Sequence, residues 1–219
     1  MKEEEKDIVR TWAHDFGVAI SAFQLDLMSL YLKELWAWNR KFNLTGLCSR
    51  KEIVKELLID SLIAVAFLPK EGRLLDVGSG AGFPAIPLKI CNPGLDALLI
   101  EANAKKVSFL KQAVRLTGLS GVNVIRGRVE KKGGLLNPEG YHIITARALA
   151  SLPQTLAWCA PYLMPQGILV NFQGTQFQKA LRESSLVMKD HRLLLKASIP
   201  YTLPGKDFQR NLLIFTKEF

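Results

Sequence analysis

The sequence predicts an open α/β fold: a mostly parallel sheet with helices on both faces, an antiparallel pair of strands at the C-terminal end, and a helical N-terminal extension. Three observations predict it. From Arg73 onward, short apolar runs alternate with helical stretches, the pattern of repeated strand–helix units. The first run, Arg73–Val77, passes through Gly78-Ser79-Gly80-Ala81-Gly82 into Phe83-Pro84, a glycine turn that opens a helix. Residues 1 to 68, by contrast, read as helices.

Within that extension, Ser21-Ala22-Phe23-Gln24 fits a capping box, and Leu25, Met28, Leu32 and Leu35 follow at helical spacing. The helix gives out near Trp38–Gly46, where the pattern turns polar, basic and aromatic. Such a mix can meet RNA through stacking and phosphate contacts, though Trp36, Trp38 and Phe42 more often belong to a core. Ser49 is placed to cap a further helix through Ile53, Leu57, Ile63 and Phe67 to Leu68. Pro69-Lys70-Glu71-Gly72 then marks a boundary, so two units are expected: an extension, 1–68, and a ligand-binding unit, 69–219.

In the second unit, strands are expected at 73–77, 95–101, 122–126, 141–146 and 167–172. A helix at 84–91 turns through Asn92-Pro93-Gly94, and a second runs from Asn103 to Thr117, closed by Gly118. Its apolar side carries Val107, Leu110, Val114 and Leu116; Lys105, Lys106, Lys111 and Arg115 read as a solvated face. Segments 131–134 and 137–140 read as loops. Tail strands at 192–200 and 211–216 meet at Pro204-Gly205 and should run antiparallel.

The glycine turn is the chemical centre. Glycine there permits positive φ and lets a ligand lie against the main chain, while Pro84 suits a first helical turn. Glu101 ends the second strand 19 positions past Gly82, close to the spacing of a carboxylate that grips ribose hydroxyls. A dinucleotide fingerprint, G-x-G-x-x-G/A, would need a small residue at 83, which is Phe. The run Asp76-x-Gly78-x-Gly80-x-Gly82 instead resembles motif I of class I S-adenosylmethionine-dependent methyltransferases, with a Rossmann-like fold.

Composition narrows the partners. A chain of 219 residues, 48% hydrophobic, can bury a sizeable core, and a net charge of +9 favours a polyanionic partner such as nucleic acid or an anionic membrane. Cys48, Cys91 and Cys159 are scattered and read as buried thiols in a reducing compartment; His14, His142 and His191 are equally dispersed, so no metal site is expected. The first residues lack the basic start and apolar run of a signal peptide, and the most apolar stretch, Leu57 to Leu68, is short and holds Asp60. The expectation is a cytoplasmic, monomeric protein with no membrane association.

Taken together, Trp38–Thr45, Asp60-Ser61-Leu62, Asp76–Pro84 with Ile86-Pro87-Leu88, Lys106 with Phe109-Leu110, and Arg147-Ala148 with Ser151-Leu152 resemble the RsmG (GidB) family. These are methyltransferases of a guanine N7 in small-subunit ribosomal RNA. The resemblance implies S-adenosylmethionine as cofactor, held at Gly78, Phe83, Val129, Glu130 and Arg147 beside Gly80, Gly82 and Glu101 of the motif. Arg147 has an alternative role as an anchor that stabilises its loop. Arg147, Asn39 and Asn43 are the candidates for positioning substrate, and Arg40, Lys41 and Gln173 for facing RNA. Guanine N7 is a lone-pair acceptor without a proton, so no general base is expected and alignment carries the reaction. Two positions depart from the family pattern: Leu57 stands where members usually have His, and Gln173 where they usually have Lys. The rival readings are an RNA-binding module without catalysis and a methyltransferase of the same fold with another substrate.

Overall fold

The structure, a computed structural model, describes residues 1–131 and 136–219; of the loop expected at 131–134, residues 132–134 lie outside them. After α1 (Glu3–Asp15), α2 (Ala22–Phe42) opens as its sequence dictates. The Gln24 amide donates to Ser21 Oγ at 3.2 Å, and the Ser21 amide donates to Gln24 Oε1 at 2.9 Å. That reciprocal cap satisfies two otherwise orphaned donors. Ser49 makes no such side-chain cap; its carbonyl accepts from the Ile53 amide instead. The segment that the spacing predicts as one helix is broken into α3 (Arg50–Ile53), a π-helical turn (Val54–Ile59), α4 (Asp60–Ile63) and a 3-10 turn (Ala64–Phe67).

Among the described residues, seven strands form one sheet: β1 (Glu71–Val77), β2 (Gly94–Glu101), β3 (Val122–Arg126), β4 (Tyr141–Arg147), β5 (Leu163–Gln173), β6 (Leu193–Thr202) and β7 (Gln209–Lys217). Their order is β3-β2-β1-β4-β5-β7-β6; the first five are parallel, and β7 runs antiparallel to both its neighbours. β5 begins earlier than its apolar run suggests. Its first half holds Pro165 and Gln166, the latter at φ 63°, which interrupts the alternation that marks a strand.

Alternation along the strands divides the core. Leu74, Ile143, Leu212 and Ile214 face the N-terminal helices with α5 (Ala85–Cys91) and α6 (Ala104–Thr117). Leu75, Ile144, Leu213 and Phe215 face the other side, covered by α7 (Leu152–Cys159) with α8 (Phe177–Glu183) and α9 (Ser185–Asp190). The first cluster runs unbroken from Val9 to Ile214, across the boundary at residue 68. Cys159 is buried, but Cys48 is exposed, against the expectation of buried thiols. Leu116 is also exposed, on the solvent side of α6.

The topology determines where a ligand can sit. From β1 the chain winds outward to β3, then returns to β4 on the other side of β1. Helices therefore leave β1 and β4 toward opposite faces, opening a crevice at their carboxyl ends.

Candidate active site

The glycine loop fills that crevice. Gly78, Gly80 and Gly82 all have positive φ, at 72°, 58° and 98°. The amides of Gly78 and Ser79 donate to the Ile100 carbonyl of β2 at 2.9 and 3.0 Å. The Gly80 amide donates to Glu101 Oε2 at 2.8 Å, and the Asn103 amide donates to Glu101 Oε1 at 2.7 Å. Glu101, 8% exposed, thus ties the end of β2 to the loop. The three loop amides point inward, so they are engaged within the chain.

Gly80 and Gly82 serve different purposes. A Cβ on Gly80 would meet only the Gly78 carbonyl at 3.8 Å, so that side of the loop is open. A Cβ on Gly82 would lie 2.6 Å from Ile86 Cδ1 and 3.1 Å from Leu110 Cδ2. Gly82 therefore lets α5 and α6 pack on the loop and does not line the crevice, which corrects its expected role as a cofactor contact. Behind the loop, Asp76 is buried, and burial pushes its carboxyl up to about 6. Thr145 Oγ1 donates to Asp76 Oδ1 at 2.6 Å, while Oδ2 has no hydrogen-bond partner among the described residues.

Two cavities adjoin across the loop. One, of about 270 Å³, is walled by Ile100, Glu101, Val129, Glu130, Leu149 and Trp158. The other, of about 380 Å³, is walled by Thr45, Glu56, Leu57, Phe83 and Arg147 among others. Gly78, Gly80, Lys106 and Ala148 line both. A larger depression, about 580 Å³, lies at the opposite edge, by Lys70 and Gly94 where β1 and β2 begin.

The expected site residues divide between these places. Glu101, Val129 and Glu130 wall the first cavity. Phe83 and Arg147 wall the second, which adjoins the first at Gly78, Gly80, Lys106 and Ala148. Phe83 is held there by Tyr31, whose ring centroid is 5.4 Å away and whose hydroxyl donates to the Ala81 carbonyl. Arg147 Nε lies 3.1 Å from Asp60 Oδ2, and its NH2 donates to the Glu56 carbonyl at 2.6 Å. The anchoring role considered for Arg147 is therefore present, and it ties β4 to the N-terminal helices.

Asn39 is buried behind the second cavity. Its Nδ2 donates to the Leu47 carbonyl at 2.7 Å, and its Oδ1 accepts from the Thr45 amide at 3.0 Å. It shapes the loop that carries Thr45, and its side-chain amide is engaged within the chain. Asn43, exposed, turns the chain at φ 46° and accepts from the Gly46 amide. Arg40 and Lys41 are exposed on the last turn of α2, and Phe42 beside them is 42% exposed with Lys105 Nζ 5.3 Å from its ring centroid. Trp36 and Trp38 pack against the core. Gln173 lies at the end of β5, outside both cavities, where it donates to Asn171 and lines a separate depression with Lys179.

Sequence reasoning passed over Lys106 as a site residue, treating it as part of a solvated face. The available signal was position: it stands in the first turn after an acid-ended strand, and that turn must face the carboxyl edge.

Comparison with known proteins decides among the rival readings. The family model described as "GidB: rRNA small subunit methyltransferase G" matches residues 24–205. The chain belongs to this family. A ribosomal RNA small subunit methyltransferase G from Geobacter sp. (strain M21) is 35% identical over 218 residues, covering 98% of both chains. One from Chloroflexus aggregans is 35% identical over 204 residues, covering 92% of this chain and 85% of its own. Among solved structures, M. jannaschii TYW2 in complex with AdoMet superposes with a TM-score of 0.58 at 12% identity, covering 72% of this chain and 73% of its own. Precorrin-6y C5,15-methyltransferase from Geobacter metallireducens GS-15 gives 0.57 at 15% identity, covering 80% and 92%. These two share the fold.

The first cavity fits the cofactor of such a family. Each Glu101 oxygen keeps a lone pair beyond the amide it accepts, available for ribose hydroxyls. Ile100, Val129 and Trp158 offer apolar walls for an adenine ring, and the open side of Gly80 admits a ligand against the main chain. The incompletely satisfied Asp76 carboxylate behind the loop favours a cationic ligand. Of the two departures from the family pattern, Leu57 faces the second cavity and Gln173 faces neither.

Proposed function

We propose that this S-adenosylmethionine-dependent methyltransferase of small-subunit ribosomal RNA transfers its methyl group to a guanine N7. The observation that carries the reading is the pair of cavities meeting at Gly78, Gly80, Lys106 and Ala148. One has the carboxylate and apolar walls for a nucleoside-like cofactor. The other is large enough for a base, with Phe83, Leu57 and Thr45 on its walls.

S-adenosylmethionine supplies an electrophilic methyl group on a sulfonium. The chain's part is to hold the two partners in line. Glu101 holds the ribose side, and Val129 with Glu130 closes the adenine side. Phe83, backed by Tyr31, gives the second cavity a firm aromatic wall, and Arg147 is fixed there by Asp60. Because N7 carries no proton, the site needs no base to remove one; it needs proximity and exclusion of water. Two of the thiols suit this, since burial pushes half-buried Cys91 and buried Cys159 up to about 12 and leaves them unreactive. A base entering the second cavity must leave its stack, so the target belongs to an accessible loop or end.

The reading carries a cytoplasmic site of action, where ribosomal particles are, and a monomer, since a single chain supplies both cavities. No helix of the described residues is long and apolar enough to cross a membrane. Mapping methylated guanines in ribosomal RNA from cells with and without this protein tests it. A small-subunit guanine that loses its N7 methyl in the deletion supports the reading, and identical maps refute it.

A further inference from the structure

Among the described residues, Lys106 is the one side chain at the junction with an unengaged charge. It lines both cavities, together with Gly78, Gly80 and Ala148. Its Nζ makes no hydrogen bond or ion pair among the described residues, whereas its neighbour Lys105 lies over the Phe42 ring. The other cation of the second cavity, Arg147, is already held by Asp60 and the Glu56 carbonyl. The loop amides that could have met an anion donate to Ile100 and Glu101 instead.

The position also carries a cost. Lys106 sits in the first turn of α6, where the helix dipole disfavours a cation, and no acidic residue in that turn offsets it. A charge kept against local preference at the meeting point of two cavities is expected where function requires it.

We propose that Lys106 binds an anionic oxygen of the bound reactants at this junction, and so sets the position of one against the other. The inference rests on the methyltransferase reading above. Two sources present that chemistry: the carboxylate of the cofactor's methionine end and a phosphate of the target nucleotide. An ammonium on a flexible stem can serve either as a point charge.

Lys106→Met keeps the stem and removes the charge; with no partner to lose among the described residues and the dipole cost relieved, it should melt no lower than the wild type. Three measurements then separate the outcomes. If the source is the carboxylate, S-adenosylhomocysteine binds on the order of tenfold more weakly to the variant, the scale of one charged hydrogen bond. 5′-Methylthioadenosine, which lacks the amino-acid end, then binds both proteins alike. If the source is a phosphate, cofactor affinity is unchanged and the slope of log affinity for small-subunit RNA against log salt falls by about 0.7–0.9. Lys106→Arg restores whichever property was lost. The proposal is overturned if both S-adenosylhomocysteine affinity and the salt slope match the wild type, or if methylthioadenosine loses as much affinity as S-adenosylhomocysteine. A wild-type protein that binds S-adenosylhomocysteine yet methylates no guanine would refute the substrate reading while leaving the carboxylate arm intact.

Discussion

At Gly80 and Gly82 the same residue type answers two different demands, and substitution should separate them. Gly80 stands at φ 58° with open space beyond it, so Gly80→Val brings strain and places a branched side chain where the ligand lies. Calorimetry should show no S-adenosylmethionine binding by that variant, and wild-type affinity with the fold intact would mean that the loop is only structural. Gly82→Ala instead drives a methyl group into Ile86 and Leu110, so its main effect should be a melting point lowered by several degrees. Asp76 adds a pH effect. Its carboxyl is raised from 3.8 to about 6 in the folded chain, so folding favours the protonated form. The stability this gives is present at low pH and lost as pH rises through about 6, a swing of about 3 kcal/mol. Asp76→Asn, which cannot ionise, should therefore gain stability relative to the cofactor-free wild type between about pH 4 and pH 8; a difference that is flat with pH would contradict this. The roles of these residues were unequally legible. Glu101 could be found by its spacing from Gly82, because strand and helix lengths fix that interval. The inward aim of Gly82 and Asn39 could not, because it depends on which neighbours the folded chain brings against them.

Among the elements, the segment from Arg50 to Phe67 shows what periodicity leaves out. Its apolar residues follow a helical spacing, yet a π-helical turn interrupts it at Val54–Ile59, with Glu56 and Leu57 on the wall of the second cavity. A π turn inserted in an α-helix often marks a functional site, and a few residues of pattern do not distinguish the two. The loop after α2 is a similar case. Its polar and aromatic composition left RNA contact and core packing both open, and in the structure Asn39 holds it closed through Thr45 and Leu47. Asn39→Ala should leave those two main-chain groups without their partner, loosening the loop by about 1–3 kcal/mol. Methyl transfer to small-subunit particles should fall while S-adenosylmethionine affinity stays within about twofold of the wild type, less than about 0.5 kcal/mol. Equal loss of both would place Asn39 in the support of the cofactor cavity instead. Gln173, by contrast, ends a strand that was correctly expected, but β5 lies beyond β4 from the loop, so a residue at its end need not reach either cavity.

Across the whole molecule, buried charge joins what the sequence separates. Asp60, 0% exposed, is reached by Arg147 of β4, by Arg210 of β7 at 3.0 Å and by the Tyr201 hydroxyl of β6 at 2.7 Å. Glu56 adds Lys206 at 2.7 Å and Arg210 at 3.2 Å, and the ion pair with Lys206 holds its carboxyl below the usual range. The strand–helix alternation announced the sheet, but no local pattern announces contacts between residue 60 and residue 210; they follow from the sheet order. These pairs engage five charged groups with one another, so they contribute little to attraction at a distance. Most of the excess that gives +9 lies elsewhere, and exposed Arg40, Lys41 and Lys105 carry part of it at the end of α2 and the start of α6. Each lysine or arginine that meets an RNA phosphate releases condensed counterions, so RNA affinity should fall steeply as salt rises. If about four phosphates are met, the fall between about 50 and 200 mM salt should be on the order of a hundredfold. S-adenosylmethionine affinity, which depends on an enclosed carboxylate, apolar walls and at most one local charge pair, should change far less over the same range. Neutralising Arg40 and Lys41 together should reduce the RNA slope without altering cofactor binding. Measuring both ligands by fluorescence titration across that range checks the argument, and RNA affinity insensitive to salt would show that the positive charge has no part in substrate capture.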